Sequence, residues 1–232
     1  MSLPKLETPS YELTLPSDGS KVKYRPFLVK EYKILLTALE SDAEEIYRIV
    51  NELIDACTFK QVNVKKLPNF DTEYIFLNIR AKSIGENTNI SLKCKNCEAD
   101  VKADLDITKA EVERTEGHSN KIQINETLSI EMRYPTFQEI LDIYGNSKSE
   151  NIVDLICACI DKIYTEDQYY ETSEYPKEEV VEFVNSFSKS QFDLLEKFFL
   201  TMPKLTQKVE SICEKCSTTN EVKLEGLQNF FA

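Results

Sequence analysis

Four cysteines in two identical spacings are the residues of this chain most able to do chemistry. Each pair has the form Cys-x-x-Cys, and the pairs are Cys94 with Cys97 and Cys213 with Cys216. A Cys-x-x-Cys turn aims two sulfur atoms at one point and so supplies half of the ligands of a tetrahedral Zn²⁺ ion. Two such turns supply the full set, and four protein thiolates leave no open position for a catalytic water. The pattern therefore predicts a structural zinc site.

A long stretch of chain separates the two pairs. Compact zinc ribbons place roughly 15–20 residues between their pairs, whereas 115 residues, 98–212, lie between Cys97 and Cys213. Two other interpretations therefore stay open: the four thiols are free and reduced, or a pair is redox-active. Redox-active Cys-x-x-Cys pairs lie at helix N-termini, while the residues around both of these pairs alternate as in β-hairpins.

Each cysteine hairpin ends a similar series of predicted elements. The first series contains a hairpin at residues 11–24, helices between 29 and 57 and at 71–83, and the cysteine hairpin at 88–107. The second contains a hairpin at 121–134, helices at 137–144, 151–164, 176–187 and 192–200, and the cysteine hairpin at 208–227. Alternation of polar and apolar residues predicts the strands, and apolar residues every three to four positions predict the helices.

We interpret the repeated order as an internal duplication. A proline follows the first hairpin of each series, Pro26 and Pro135, and the cysteine pairs recur with a shift of 119 residues. The predicted fold class is α+β, with two similar halves at residues 1–110 and 119–232 joined by a shared four-cysteine, zinc-ribbon-like site. The alternative is that hairpins and helices recur by chance in an α+β chain of this length.

The charge and hydropathy of the chain argue against several classes of partner. It has 28 Lys and Arg against 40 Asp and Glu, a net charge of −12, and no basic cluster larger than a pair such as Lys65 and Lys66. Binding of nucleic acid depends on a basic surface that displaces counterions, so direct contact with nucleic acid is not expected. The longest apolar run, residues 155–160, is far shorter than the ~20 residues that span a bilayer. We therefore expect no membrane span, and the polar N-terminal residues predict no signal peptide.

Few other residues indicate a reaction. His118, the only histidine, lies in the polar segment RTEGHSN and is predicted to be solvated. Cys57, Cys157 and Cys159 occupy apolar helical positions and are predicted to be small buried residues. The segment 164–175 contains four tyrosines and four acidic residues, as in a solvated insertion or a surface for a protein partner. No phosphate-binding loop, nucleophile elbow or zinc-protease motif occurs, so we expect neither an enzyme nor a small-molecule substrate.

Longer phrases of the first half carry a family resemblance. RPFLVKE at 25–31, FDTEYIFLNIRAKSIGE at 70–86 and the CKNC hairpin resemble the T-even-type phage baseplate protein family, and the second half follows more loosely up to its CEKC. The resemblance implies a non-enzymatic protein of the baseplate hub, either a hub subunit or an assembly chaperone, whose partners are other baseplate or hub proteins. It implies a location in the host cytoplasm during assembly or in the tail baseplate of the virion. The zinc prediction rests on the cysteines alone.

Two other functions stay open on the sequence. A zinc ribbon could belong to a regulatory protein that binds host or phage transcription machinery, since a net charge of −12 does not exclude contact with a polymerase. A thiol-active enzyme would need one redox-active pair, and Cys94→Ser would then abolish its activity.

Overall fold

The chain is built from short strands and helices in alternating groups. A computed structural model describes residues 6–38, 43–145 and 151–227. In chain order these residues form β1 (Tyr11–Thr14), β2 (Lys21–Tyr24), α1 (Val29–Ala38), α2 (Ala43–Cys57), α3 (Asn69–Ser83), β3 (Asn87–Lys93), β4 (Asp100–Asp106), β5 (Glu111–Glu113), β6 (Lys121–Gln123), β7 (Ser129–Met132), α4 (Phe137–Gly145), α5 (Asn151–Cys159), β8 (Ile160–Tyr164), β9 (Tyr169–Glu171), α6 (Lys177–Asn185), α7 (Lys189–Thr201), β10 (Lys204–Ile212) and β11 (Thr219–Glu225). The predicted mixture of helices and strands is confirmed.

Contacts divide the chain into two compact units. One unit joins Met1–Glu113 to Lys204–Ala232, and the other is Arg114–Pro203. The second cysteine hairpin therefore belongs to the same unit as the first. Across the described ranges, no helix has both the length and the apolar character that a bilayer crossing requires.

Helix α3 lies at the centre of the first unit. It contacts α2 as well as β5 and β10, and its buried apolar residues are Phe70, Ile75, Phe76, Leu77, Ile79 and Ala81. Two of its acidic side chains are also buried, and each accepts a backbone N–H group: Asp71 from Ser17 at 3.1 Å and Glu73 from Leu227 at 3.0 Å. This helix therefore holds both the β1–β2 turn and the chain just after β11.

The two cysteine hairpins lie side by side in the first unit. Strands β3 and β4 form one antiparallel hairpin, while β5, β10 and β11 form an antiparallel sheet in the order β11-β10-β5. Strand β10 also contacts β4. The side-chain amide of Gln207 in β10 donates to the carbonyl of Asp106, the last residue of β4, at 2.8 Å. Strand β5 was not predicted, because three residues show too little alternation to be recognised.

The second unit contains an antiparallel sheet in the order β6-β7-β8-β9. Its core combines residues of this sheet with residues of α5, α6 and α7, and the most buried of them are Ile130, Met132, Ile156, Cys159, Ile160 and Leu195. Helix α7 begins with a capping box between Ser188 and Gln191.

One predicted helix of this unit, at 151–164, is wrong in its second part. Helix α5 ends at Cys159, and the next five residues form β8. Ile160 and Ile163 are β-branched, which favours strands, and they lie opposite Met132 and Ile130 of β7. The segment predicted as a loop at 164–175 also forms structure, because β9 pairs with β8.

The same local arrangement of arginine, glutamate and cysteine occurs in both units. Arg25 donates two hydrogen bonds to Glu31, at 2.9 and 2.8 Å, and its backbone N–H donates to the carbonyl of Cys57 at 3.0 Å. Arg133 donates to Glu139 at 2.9 and 2.6 Å, and its N–H donates to the carbonyl of Cys159 at 2.8 Å. Each arginine thus joins the end of a strand to a helix start and to the end of the following helix.

Candidate metal centre

Each cysteine pair lies at the tip of a regular antiparallel hairpin. The last paired residues are Lys93 with Asp100 in the first hairpin and Ile212 with Thr219 in the second. In the first tip, the N–H of Cys94 donates to the carbonyl of Ala99 at 2.9 Å. In the second tip, the N–H of Cys213 donates to the carbonyl of Thr218 at 3.0 Å. The strands therefore fix both tips in the same geometry.

The tips also share a strained turn. Glu98 and Ser217, which follow the second cysteine of each pair, both have a φ of 56°. For a residue with a side chain, this left-handed conformation costs roughly 1–2 kcal/mol. Each N–H then donates to the carbonyl of the first cysteine, at 3.0 Å for Glu98 and 2.8 Å for Ser217. The equal geometry at positions 119 residues apart shows that the two pairs form the same kind of turn.

The structure brings the four sulfur atoms together. All four lie within 4.8 Å of one another, and the cross-hairpin distances from Cys94 to Cys216 and from Cys97 to Cys213 are both 3.6 Å. A tetrahedral Zn²⁺ with Zn–S bonds of about 2.3 Å has sulfur atoms about 3.8 Å apart. A disulfide needs about 2.05 Å, and all four cysteines are free thiols. The cluster therefore has the dimensions of a metal site, and these residues could hold a metal ion.

Hydrogen-bond donors favour thiolates in this cluster. The backbone N–H groups of Asn96 and Cys97 lower the pKa of Cys94. The hydroxyl and the backbone N–H of Thr218 lower the pKa of Cys216 to about 5. The N–H of Ala99 acts in the same direction on Cys97, but the neighbouring thiols outweigh it and raise the pKa of Cys97 to about 11. Metal binding requires deprotonated cysteines, so N–H groups aimed at sulfur suit that state.

The side chain of Asn220 links the two turns. Asn220 is almost fully buried; its carbonyl oxygen accepts the N–H of Lys95 at 3.0 Å, and its amide donates to the carbonyl of Thr218 at 3.2 Å. Sequence reasoning missed this residue. The signal was present, because Asn220 precedes Val222 and Leu224 at alternate positions of β11, which places a polar residue on the inward face.

A comparison with known protein families decides the identity of the chain. Residues 8–232 match the family described as T4 bacteriophage base plate protein. The chain belongs to this family. No curated protein and no solved structure matches the chain significantly. The predicted resemblance is therefore confirmed across nearly the whole chain, and membership suggests a structural, non-enzymatic protein of the phage baseplate with other baseplate proteins as partners.

The other cysteines of this baseplate-family chain lie apart from the cluster in its cores. Cys57, Cys157 and Cys159 are buried, as predicted. Burial raises the pKa of Cys57 to about 12, that of Cys157 to about 11 and that of Cys159 to about 12. These thiols therefore stay protonated at neutral pH, which is the state of inert packing residues.

The prediction that His118 is solvated is wrong. Its ring lies between aromatic rings of the second unit, with centroid distances of 5.0 Å to Phe198 and 5.7 Å to Tyr134. Its Nδ1 atom is 2.9 Å from the hydroxyl of Thr201. Burial lowers the pKa of His118, which favours the neutral ring. The polar residues around His118 in the sequence concealed this packing, because its partners are distant along the chain.

Proposed function

We propose that this protein helps to build the hub of the phage tail baseplate by binding other baseplate or hub proteins. It acts either as a hub subunit that stays in the particle or as an assembly chaperone that leaves it. The observation that carries the proposal is the family match over residues 8–232. The RPFLVKE and FDTEYIFLNIRAKSIGE phrases, which resemble proteins of the hub assembly group, support the finer assignment.

Mass spectrometry of purified phage particles separates the two roles. A hub subunit is present at a fixed ratio to other baseplate proteins, whereas a chaperone is absent from particles although baseplates do not form without it. Deletion of the gene should leave heads and no baseplates in infected-cell extracts, and expression of the full chain should restore baseplates. Normal baseplates after deletion would overturn the proposal in both forms.

We propose further that the four-cysteine cluster holds one structural Zn²⁺, with Cys94, Cys97, Cys213 and Cys216 as its ligands. The sulfur spacing of 3.6 Å across the hairpins and the N–H groups that favour thiolates support this assignment. Thiolate ligands in a tetrahedral arrangement are typical of zinc. Occupied, the site would hold two hairpins together across the 115 residues between them, which gives the binding surfaces of the protein a fixed scaffold.

We propose, finally, that the halves at 1–110 and 119–232 arose by duplication. The matched pairs Arg25–Glu31 and Arg133–Glu139 support this, as do the matched turns after each cysteine pair. The arginines are 108 residues apart, so Pro26 corresponds to Tyr134 and the two prolines are not equivalent. Aligning halves from divergent family members tests the proposal, because arginine–glutamate pairs that recur in only one half would argue for chance.

A further inference from the structure

The second unit contains an apolar cleft outside the cysteine cluster. It lies between the β8–β9 hairpin and α6, has a volume of about 320 Å³, and its apolar walls come from Leu128, Ile163, Tyr170, Tyr175, Val180 and Phe183. Pockets for drug-sized ligands have volumes of ~300–1,000 Å³. A cleft at the lower end of this range suits one or two protein side chains better than a cofactor.

Strand alternation separates the cleft from the other face of the hairpin. Ile163 of β8 lies opposite Tyr170 of β9, and both line the cleft together with Thr165 and Thr172, which are two residues further along each chain segment. Tyr169 lies opposite Tyr164, and Lys162 lies opposite Glu171. Because successive strand residues point to opposite faces, these last four side chains belong to the other face. Lys162 therefore does not neutralise the cleft.

Among the described residues that line the cleft, one carries a carboxylate. The hydroxyls of Thr165 and Thr172 donate to the carbonyls of Gln168 and Ile160, at 3.0 and 2.5 Å, so they are already occupied. Glu179 is exposed at the wall, and among the described residues its carboxylate has no ion pair or hydrogen bond. An acidic residue in the first turn of α6 also stabilises that helix, but this role does not require a place in the cleft.

The chain around the cleft is strongly acidic. Residues 166–182 contain seven acidic residues and one lysine, a net charge of −6. The lysine, Lys177, already pairs with Asp154 at 2.9 Å. Potentials on the two sides of an interface are usually complementary. A partner at this surface is therefore expected to be basic.

We propose that the cleft docks a basic segment of another baseplate protein, with a large apolar side chain in the cleft and a lysine or arginine beside Glu179. This inference rests on the proposed function, and it names the chemistry of one partner segment. Tyrosine walls suit the role, because tyrosine is enriched in interface cores and presents a large contact area with few rotatable bonds. The exposed acids around the cleft would attract the segment before it docks.

Site-specific photo-crosslinking in infected cells tests the proposal with the full chain. p-Benzoylphenylalanine replaces Tyr175, which lines the cleft, or Tyr169, which lies on the other face of the hairpin as the matched control. We expect a crosslink from position 175 to a segment with lysine or arginine next to an aromatic or branched apolar residue, identified by mass spectrometry. The proposal would be overturned by a crosslink of equal yield from position 169, or by no crosslink from position 175. A crosslink from position 175 to a neutral or acidic segment, or to a second copy of this chain, would also overturn it.

Removal of the carboxylate gives a second readout. Glu179→Gln should lower the crosslink yield at position 175 about threefold, as expected for an exposed charge pair, and should make the yield less sensitive to salt. Glu178→Gln, on the same turn but outside the cleft, should leave both unchanged. Equal effects of the two variants would contradict a role for Glu179.

The outcomes also separate this inference from the proposed function. If the protein enters baseplate complexes but position 175 gives no crosslink, the docking inference is wrong and the baseplate function stands. If position 175 crosslinks to a basic segment of a host protein and baseplates form without the chain, the baseplate function is wrong, and with it the identity of the partner.

Discussion

At the scale of single residues, the buried carboxyl group of Glu73 makes the stability of the first unit depend on pH. This side chain of α3 is buried and accepts the N–H of Leu227 at 3.0 Å. Burial raises the pKa of Glu73 to about 7, although hydrogen bonds from Leu227 and Asn69 act in the opposite direction. Between the unfolded value of 4.5 and about 7, the folded protein therefore binds more protons than the unfolded chain, and stability falls as pH rises.

Glu73→Gln should remove this pH dependence. The glutamine is neutral, and its oxygen can still accept the N–H of Leu227. As pH rises from 5 to 8, we expect the free energy of unfolding of the variant to increase relative to that of the wild type by on the order of 2–3 kcal/mol. Urea unfolding at several pH values measures this difference. Competition between protons and metal at the cysteine cluster affects both proteins equally, so it cancels in the difference. The exposed control Glu178→Gln should follow the wild type, and parallel curves for all three proteins would contradict the prediction.

At the scale of elements, the arginine–glutamate pairs hold strands to helices with different degrees of burial. The side chains of Arg25 and Glu31 are 13% and 10% exposed, and those of Arg133 and Glu139 are 39% and 23% exposed. Removing one partner of a buried pair costs about 3–5 kcal/mol, because the remaining charge loses its partner without regaining water. Exposed pairs contribute at most about 1 kcal/mol.

We therefore expect Arg25→Met to destabilise the protein by about 3 kcal/mol, and more than Arg133→Met does. Arg48 is a control, since it forms ion pairs with Glu45 and Glu52 but its side chain is 53% exposed. Arg48→Met should cost less than about 1 kcal/mol. Urea unfolding compares the three variants, and the prediction fails if Arg25→Met is no more destabilising than Arg48→Met.

The elements also show how far the sequence predicts this fold. The hairpins and helix α3 were predictable because the alternation and turns of the hairpins and the spacing of apolar residues in α3 are local. The junction of α5 and β8 was not, since the run LICACI at 155–160 is apolar throughout and has no period that separates a buried helix from a buried strand. Pairing of β8 with β7 determines where the helix ends and the strand begins, and the two strands are distant in sequence. The packing of His118 was not predictable for the same reason, because its contacting residues are also distant in sequence.

At the scale of the whole molecule, two cysteine turns 119 residues apart complete one cluster. The residue types and spacing allowed the four cysteines to be predicted as a set, because each turn supplies only half of a tetrahedral site. The alternation of β11 indicates that Asn220 is buried, but its bridging role depends on which hairpin tips face each other, and that role was not predictable. The cluster joins residues near the middle of the chain to residues near its C-terminal end, so its metal would stabilise the first unit far beyond the two hairpins.

Metal removal is expected to destabilise the protein strongly. Apparent binding free energies of structural zinc are about 10–16 kcal/mol, and each kcal/mol shifts the melting temperature of a chain of this size by about 2–4 °C. A strong chelator should therefore release one Zn²⁺ per chain and lower the melting temperature by more than about 10 °C. Cys94→Ser should bind less metal and respond less to chelator, whereas Cys157→Ala, a buried cysteine outside the cluster, should keep both the metal and the response. Freshly purified protein that contains no metal, and whose melting temperature is unchanged by chelator, would show that the cluster holds free thiols. Asn220 and the contacts between β4 and β10 would then join the two hairpins without a metal.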